Sequence, residues 1–248
     1  MIAAPLSFHP PVALVVGAGD ATGSAIARRF ARGGFTVVAV RRNADKLTTL
    51  VEQLQALGHT CHTKSVDARK EDAVQALVEH IERDIGPLKV VVFNIGANVW
   101  FPVTETTTRV FTKVWEMACL SGFLTGREAA RAMLPRAQGS IFFTGATASL
   151  RGRAGFSAFA AAKHGLRAIA QSMSRELGPR GIHVAHLVID GAIDTEFIRD
   201  NLPEKYKLKE QSGIVSPDSI AQTYWDLHHQ PRDAWTHELD LRPWMESF

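Results

Sequence analysis

A glycine turn, a pair of arginines and one lysine carry most of the chemistry written into this chain. Residues 12–19 read VALVVGAG, an apolar strand running into a glycine turn, and Asp20, Thr22 and Gly23 follow as a helix begins. At such a strand-to-helix junction backbone amides point at a phosphate, and the helix dipole adds to their pull. Gly17 accepts torsions closed to bulkier residues, and Gly23 allows the helix to approach closely. The motif is incomplete: Ala21 stands where related turns often carry a glycine, and Gly19 and Asp20 alter the turn. A second apolar strand, 35–40, ends in Arg41-Arg42. An acid there would accept both ribose hydroxyls of NAD, whereas guanidiniums suit an adenosine 2′-phosphate, which favours NADP(H) over NAD(H). Two arginines on an ordinary surface loop are the plainer reading.

Two further loops would close such a site. Asp67 is placed to meet an adenine edge, or is a simple turn acid; Asn94-Ile95-Gly96 follows the fourth strand where cofactor loops converge, or is a structural turn. Downstream, Phe159-Ala-Ala-Ala-Lys163 sets a phenyl ring, which cannot ionise, one helical turn before an ammonium. Thr144, Thr147 and Ser149 follow the fifth strand; their hydroxyls could enter the space beside that ring, although stabilising the strand-end turn is the simpler role. The histidines do not assemble. His164 diverges from Lys163 on a helix, His183 and His186 fall on opposite faces of a strand, and His228-His229 lacks a third ligand. No nucleophile elbow with an acid/base set is present, so metal-free chemistry is expected.

These residues need a scaffold, and the apolar patterning supplies one. At 248 residues and 46% apolar, the chain is long enough for one large core. Strands are predicted at 12–16, 35–40, 59–62, 89–93, 139–144, 182–188 and 235–241. Helices are predicted near 22–32, 44–57, 70–84, 107–134, 156–178 and 217–229. Highly apolar strands alternating with amphipathic helices predict a single-domain Rossmann fold, an α/β doubly wound seven-stranded parallel sheet over 12–248 behind a lead-in at 1–11. The stretch 190–216, rich in charge and holding Pro203 and Gly213, is expected to be a substrate loop or cover with a short helix near 195–210. The formal charge of +3 is scattered, which argues against nucleic acid. Apolar runs are too short for a membrane span, no signal peptide is expected, and two cysteines suit reduced thiols in the cytoplasm.

Taken together, the glycine turn, Asp67, Phe93-Asn-Ile-Gly96, Phe159-x-x-x-Lys163 and Asp190-Gly-x-x-x-Thr195 resemble the classical short-chain dehydrogenase/reductase family over nearly the whole chain. The resemblance implies a nicotinamide cofactor, a small-molecule substrate, and a homodimer or homotetramer joined through 107–134 and 156–178. It implies that Lys163 binds the cofactor ribose and that Thr195 holds the nicotinamide carboxamide. The customary catalytic asparagine, serine and tyrosine map onto Ala118, Ala146 and Phe159, so only Lys163 of the four survives. The expected activity is NADP(H)-dependent carbonyl or related small-molecule reduction at an altered centre; the alternative is a catalytically weak or inactive NADP(H)-binding regulatory or scaffold protein.

Overall fold

The structure, a computed structural model, describes residues 10–19 and 21–246. Asp20 and all but the last two residues of the expected lead-in lie outside the described residues. The apolar run Val12–Val16 forms β1, and helix α1 follows at Thr22–Arg32. Next come β2 (Thr36–Arg41), α2 (Thr48–Ala56), β3 (Cys61–Ser65), α3 (Glu71–His80) and β4 (Leu88–Phe93). The second half holds α4 (Thr108–Trp115), α5 (Ser121–Met133), β5 (Gly139–Thr144), α6 (Ser157–Leu177) and β6 (Ile182–Ile189). Short helices α7 (Glu196–Asn201) and α8 (Pro203–Tyr206), then α9 (Pro217–His228) and β7 (Glu238–Leu241), complete it.

The strands make one seven-stranded parallel sheet in the order β3-β2-β1-β4-β5-β6-β7. It is doubly wound: the order reverses between β1 and β4, opening a crevice at their carboxyl ends. Alternate residues of each strand feed two buried layers. Ala13 and Val15 pack with α1 and α9, while Val12, Leu14 and Val16 pack with α3, α5 and α6. Burial on both faces is why β1, β4, β5 and β6 show apolar runs with no polar alternation.

The sheet edges depart from expectation. The third strand is Cys61–Ser65, beyond the predicted 59–62, and it is polar because it is an edge strand with partly exposed side chains. The seventh begins at Glu238, after Trp235 has stacked on His183 (ring centroids 4.9 Å apart) and Thr236 has bonded to Gln230. Predicted helix 44–57 opens with a 3-10 turn over Ala44–Leu47, capped by Asn43, whose Oδ1 accepts from the Asp45 amide at 3.0 Å. Predicted helix 107–134 contains a wide π turn, Glu116–Leu120, between α4 and α5. Within 190–216, one short helix is replaced by α7 and α8, since Pro203 starts a new turn rather than continuing the old one.

Candidate active site and cofactor crevice

The β1–α1 turn is shaped by two glycines for different reasons. Gly17 has φ +90°, and a Cβ there would lie 2.8 Å from the carbonyl carbon and oxygen of Asn94. The Asn94 amide donates to Val16 O at 2.8 Å and its Nδ2 to Gly17 O at 3.2 Å, so the β1 and β4 loops are stitched together. Gly23 has ordinary torsions, but a Cβ would meet Gly17 O at 2.5 Å and Ala18 Cα at 2.6 Å. Helix α1 therefore packs directly onto the turn. At Gly19 the space around an added Cβ is open.

A cavity of about 550 Å³ opens over this turn. Gly17, Gly19, Arg41, Arg42, Asp67, Asn94 and Gly96, all singled out from sequence, share its wall. Lys46 and Arg69 join them, so four cationic side chains face a single lining carboxylate, Asp67, among the described residues. That carboxylate is already engaged: Arg69 donates to it through Nε at 2.8 Å and Nη2 at 2.6 Å, and the Arg69 amide donates at 3.2 Å. The Arg69 side-chain bonds hold Asp67 down at about 2, against the opposing effect of burial. A positive, glycine-floored crevice at the sheet's switch point fits an anionic dinucleotide. Thr22 and Gly23 lie buried behind the turn rather than on the crevice wall. Thr195 is also elsewhere: it caps α7, its Oγ1 accepting from the Ile198 amide at 3.3 Å, and lines a separate cavity of about 610 Å³ with Ala21 and Ser216.

Lys163 is buried, with only 2% of it exposed. Its Nζ donates to Thr144 O at 2.8 Å and Ile95 O at 3.1 Å, tying α6 to the ends of β5 and β4. Burial pushes its pKa down to about 8, with the Cys119 thiol pulling the other way. One turn earlier, the Phe159 ring centroid lies 5.9 Å from that Nζ. Phe159 and Ala118 belong to one apolar cluster, and Ala146 packs against it. The neighbouring hydroxyls are committed: Thr144 bonds Tyr224 Oη at 2.7 Å, Thr147 donates to Asp190 at 2.7 Å, and Ser149 accepts from the Ala146 amide at 3.1 Å. They brace the end of β5, the simpler of the two roles expected.

Two features escaped the sequence reading. Arg69 and Lys46 extend the basic wall; the signal for Arg69 was a guanidinium two residues past a turn acid. Asp190, expected to open a covering loop and the motif running to Thr195 but given no role of its own, is a buried carboxylate joined by Thr147, by Arg151 at 3.1 Å and by Arg242 at 3.0 Å. Burial raises its pKa, but the Thr147 and Arg151 bonds outweigh that and leave it below the ordinary range.

A glycine-turned, cation-walled crevice at the reversal point of a parallel sheet defines a dinucleotide-binding α/β protein. The short chain dehydrogenase family profile matches residues 11–205, and the chain belongs to that family. A solved short-chain dehydrogenase from Rhodopseudomonas palustris is 51% identical, with 94% of this chain and 99% of that chain covered and a TM-score of 0.82. A metagenomic short-chain oxidoreductase, solved in complex with NADP, is 25% identical over 95% and 98% of the two chains at a TM-score of 0.81. The 3-oxoacyl-(acyl-carrier-protein) reductase of Pseudomonas aeruginosa is 31% identical over 210 residues, 80% of each protein.

Proposed function

We propose that this chain is an NADP(H)-dependent oxidoreductase that reduces a carbonyl compound or related small molecule at an altered centre. The observation that carries the reading is the Gly17 turn sharing one crevice with Arg41 and Arg42. In this reading the Gly17–Gly23 turn and Asn94 receive the nucleotide's phosphate bridge, the two arginines hold the adenosine 2′-phosphate, and Lys163 meets the ribose. The metagenomic relative solved with NADP supports the cofactor type. Asp67 acts as an anchor for Arg69 more than as an adenine ligand, and Thr195, which caps α7 and shares a cavity with Ala21, stands at the edge of the reading rather than at its centre. The bound dinucleotide supplies a hydride; orientation and charge are what the protein supplies.

Proton transfer is the altered part. Phe159 has no acid to give, and losing a positioned proton donor costs around 10²–10⁴ in rate. Water or a substrate group then supplies the proton. The same apolar centre supports a second reading, an NADP(H)-binding regulatory or scaffold protein with little turnover. A screen of carbonyl and enone compounds for NADPH consumption separates the two: turnover on any class favours the enzyme, and tight NADPH binding with no turnover favours the second reading.

A homodimer or homotetramer through α4–α5 and α6 completes the proposal. Its support is an apolar stripe on α4 and α5, where Phe111, Trp115 and Phe123 are each about 40% exposed. We place the protein in the cytoplasm with no nucleic-acid or membrane partner; among the described residues no helix is long and apolar enough to cross a membrane.

A further inference from the structure

We infer that the chain carries a second binding site, at the amino ends of its strands, for a small organic phosphate or carboxylate. This site lies at the opposite end of the sheet from the cofactor crevice and does not rest on the oxidoreductase reading. A cavity of about 350 Å³ opens there, where β4, β5 and β6 begin. Lys89 of β4, Gln138 and Ser140 at the start of β5, His228 at the end of α9, and Arg232 line it. Among the described residues no carboxylate shares that wall.

The polar groups there are donors in surplus. Lys89 brings an ammonium that gives one bond, to Gln138 Oε1, which leaves the Gln138 amide nitrogen as a further donor. Arg232 brings a guanidinium that gives one bond, from Nη2 to Ala137 O at 2.8 Å. Both partners are neutral oxygens. Glu82, the carboxylate whose charge reaches Lys89, is already held by Arg136 through two bonds of 2.7 Å and by the Leu88 amide at 2.9 Å. Burial and the Arg136 charge lower the Lys89 pKa against the pull of Glu82, as befits a cation short of counter-charge. Ser140 Oγ lies 2.8 Å from His228 Nδ1, and Nε2 of that ring makes no hydrogen bond among the described residues. An arriving oxyanion selects the tautomer in which the hydroxyl donates to Nδ1 and Nε2 carries the proton. Ammonium and guanidinium groups bind phosphate and carboxylate through short charge-assisted bonds. Trp235 stacks on His183 with ring planes 3° apart, and with Phe35 it gives the cavity a flat apolar side. The volume suits a charged head on a single ring and is too small for a dinucleotide.

The test keeps the two anion sites apart. Calorimetry on the full chain carrying Arg41→Ser/Arg42→Ser, which removes the guanidinium pair of the crevice, compares phenyl phosphate and benzoate with neutral benzyl alcohol. At least one anion should bind about tenfold tighter than the alcohol, and the tighter of the two names the head group. Adding Lys89→Met/Arg232→Gln should weaken that anion about tenfold or more. Arg232→Gln alone alters an exposed side chain and should weaken it by about threefold or more, which covers the case in which the Lys89 change disturbs folding. In the wild type, the saturating anion should shift the His228 ring signals, assigned with His228→Gln, in imidazole NMR spectra. No preference for either anion over the alcohol, affinity kept without Lys89 and Arg232, or an unmoved His228 ring would each overturn the inference. The titration needs no NADPH, so its outcome is independent of the cofactor reading.

Discussion

Replacing Gly23 by alanine should damage the crevice although its own torsions are ordinary. The new Cβ would sit 2.5 Å from Gly17 O and 2.6 Å from Ala18 Cα, both backbone atoms that no rotamer change can move aside. Either α1 withdraws from the turn or the turn is pushed toward Asn94. Overpacking of this kind costs about 1–3 kcal/mol. Alanine recovers up to about 1 kcal/mol in helix propensity, which leaves a net loss on the order of 1–2 kcal/mol. Gly19→Ala is the internal control, since nothing lies within 4 Å of its added Cβ. Urea unfolding followed by circular dichroism should show a lower midpoint for Gly23→Ala and a nearly unchanged one for Gly19→Ala, with equal slopes. Calorimetry should show NADPH binding about tenfold weaker or worse in Gly23→Ala. A Gly23→Ala protein as stable and as tight for NADPH as the wild type would refute the claim that close packing of α1 on the turn builds the site.

Other perturbations test other parts of the account. His186 and His228 are both held down at about 4, chiefly by burial, with Glu238 opposing at His186 and His229 reinforcing at His228. Below pH 6.5 the unfolded chain binds protons that these buried rings refuse, so stability should fall as pH drops from about 6.5 toward 4. The loss is on the order of 2 kcal/mol per histidine between pH 6.5 and 5, read from urea midpoints; flat stability over that range contradicts it. The Phe159→Tyr/Ala146→Ser variant should raise NADPH-linked reduction of simple ketones by roughly 10-fold or more; no change in a steady-state assay would show that more than the proton-transfer groups is missing. Trp115→Lys should shift the assembly toward smaller species in light scattering after size exclusion, and an unchanged mass would place the subunit contact elsewhere.

The central strands were legible because burial on both faces writes itself as uninterrupted apolar runs: β1 and β5 match their expected bounds, and β4 starts one residue early. The edges β3 and β7 were harder. Half their surface is free of the core, so their sequences, CHTKS and ELDL, lack the signal that marks their neighbours. At the site, Gly17, Arg41, Arg42 and Asn94 share a wall because each ends a neighbouring strand, which sequence order and strand count already imply. Side-chain commitments were not legible. That Thr195 caps α7, that Arg69 takes Asp67, and that Lys163 turns inward to two carbonyls all depend on contacts between distant or freely rotating groups. The Asp190 cluster draws on residues 147, 151 and 242, a spacing that no local pattern announces.

The central claim is that Arg41 and Arg42 face an adenosine phosphate. Calorimetric titration of the wild type and an Arg41→Ser/Arg42→Ser variant with NADPH and NADH tests it directly. Charge-assisted bonds of about 1.5–3 kcal/mol predict NADPH bound roughly 10–100-fold tighter than NADH in the wild type, with that preference lost in the variant. Equal affinities in the wild type, or a variant that keeps its phosphate preference, would contradict it.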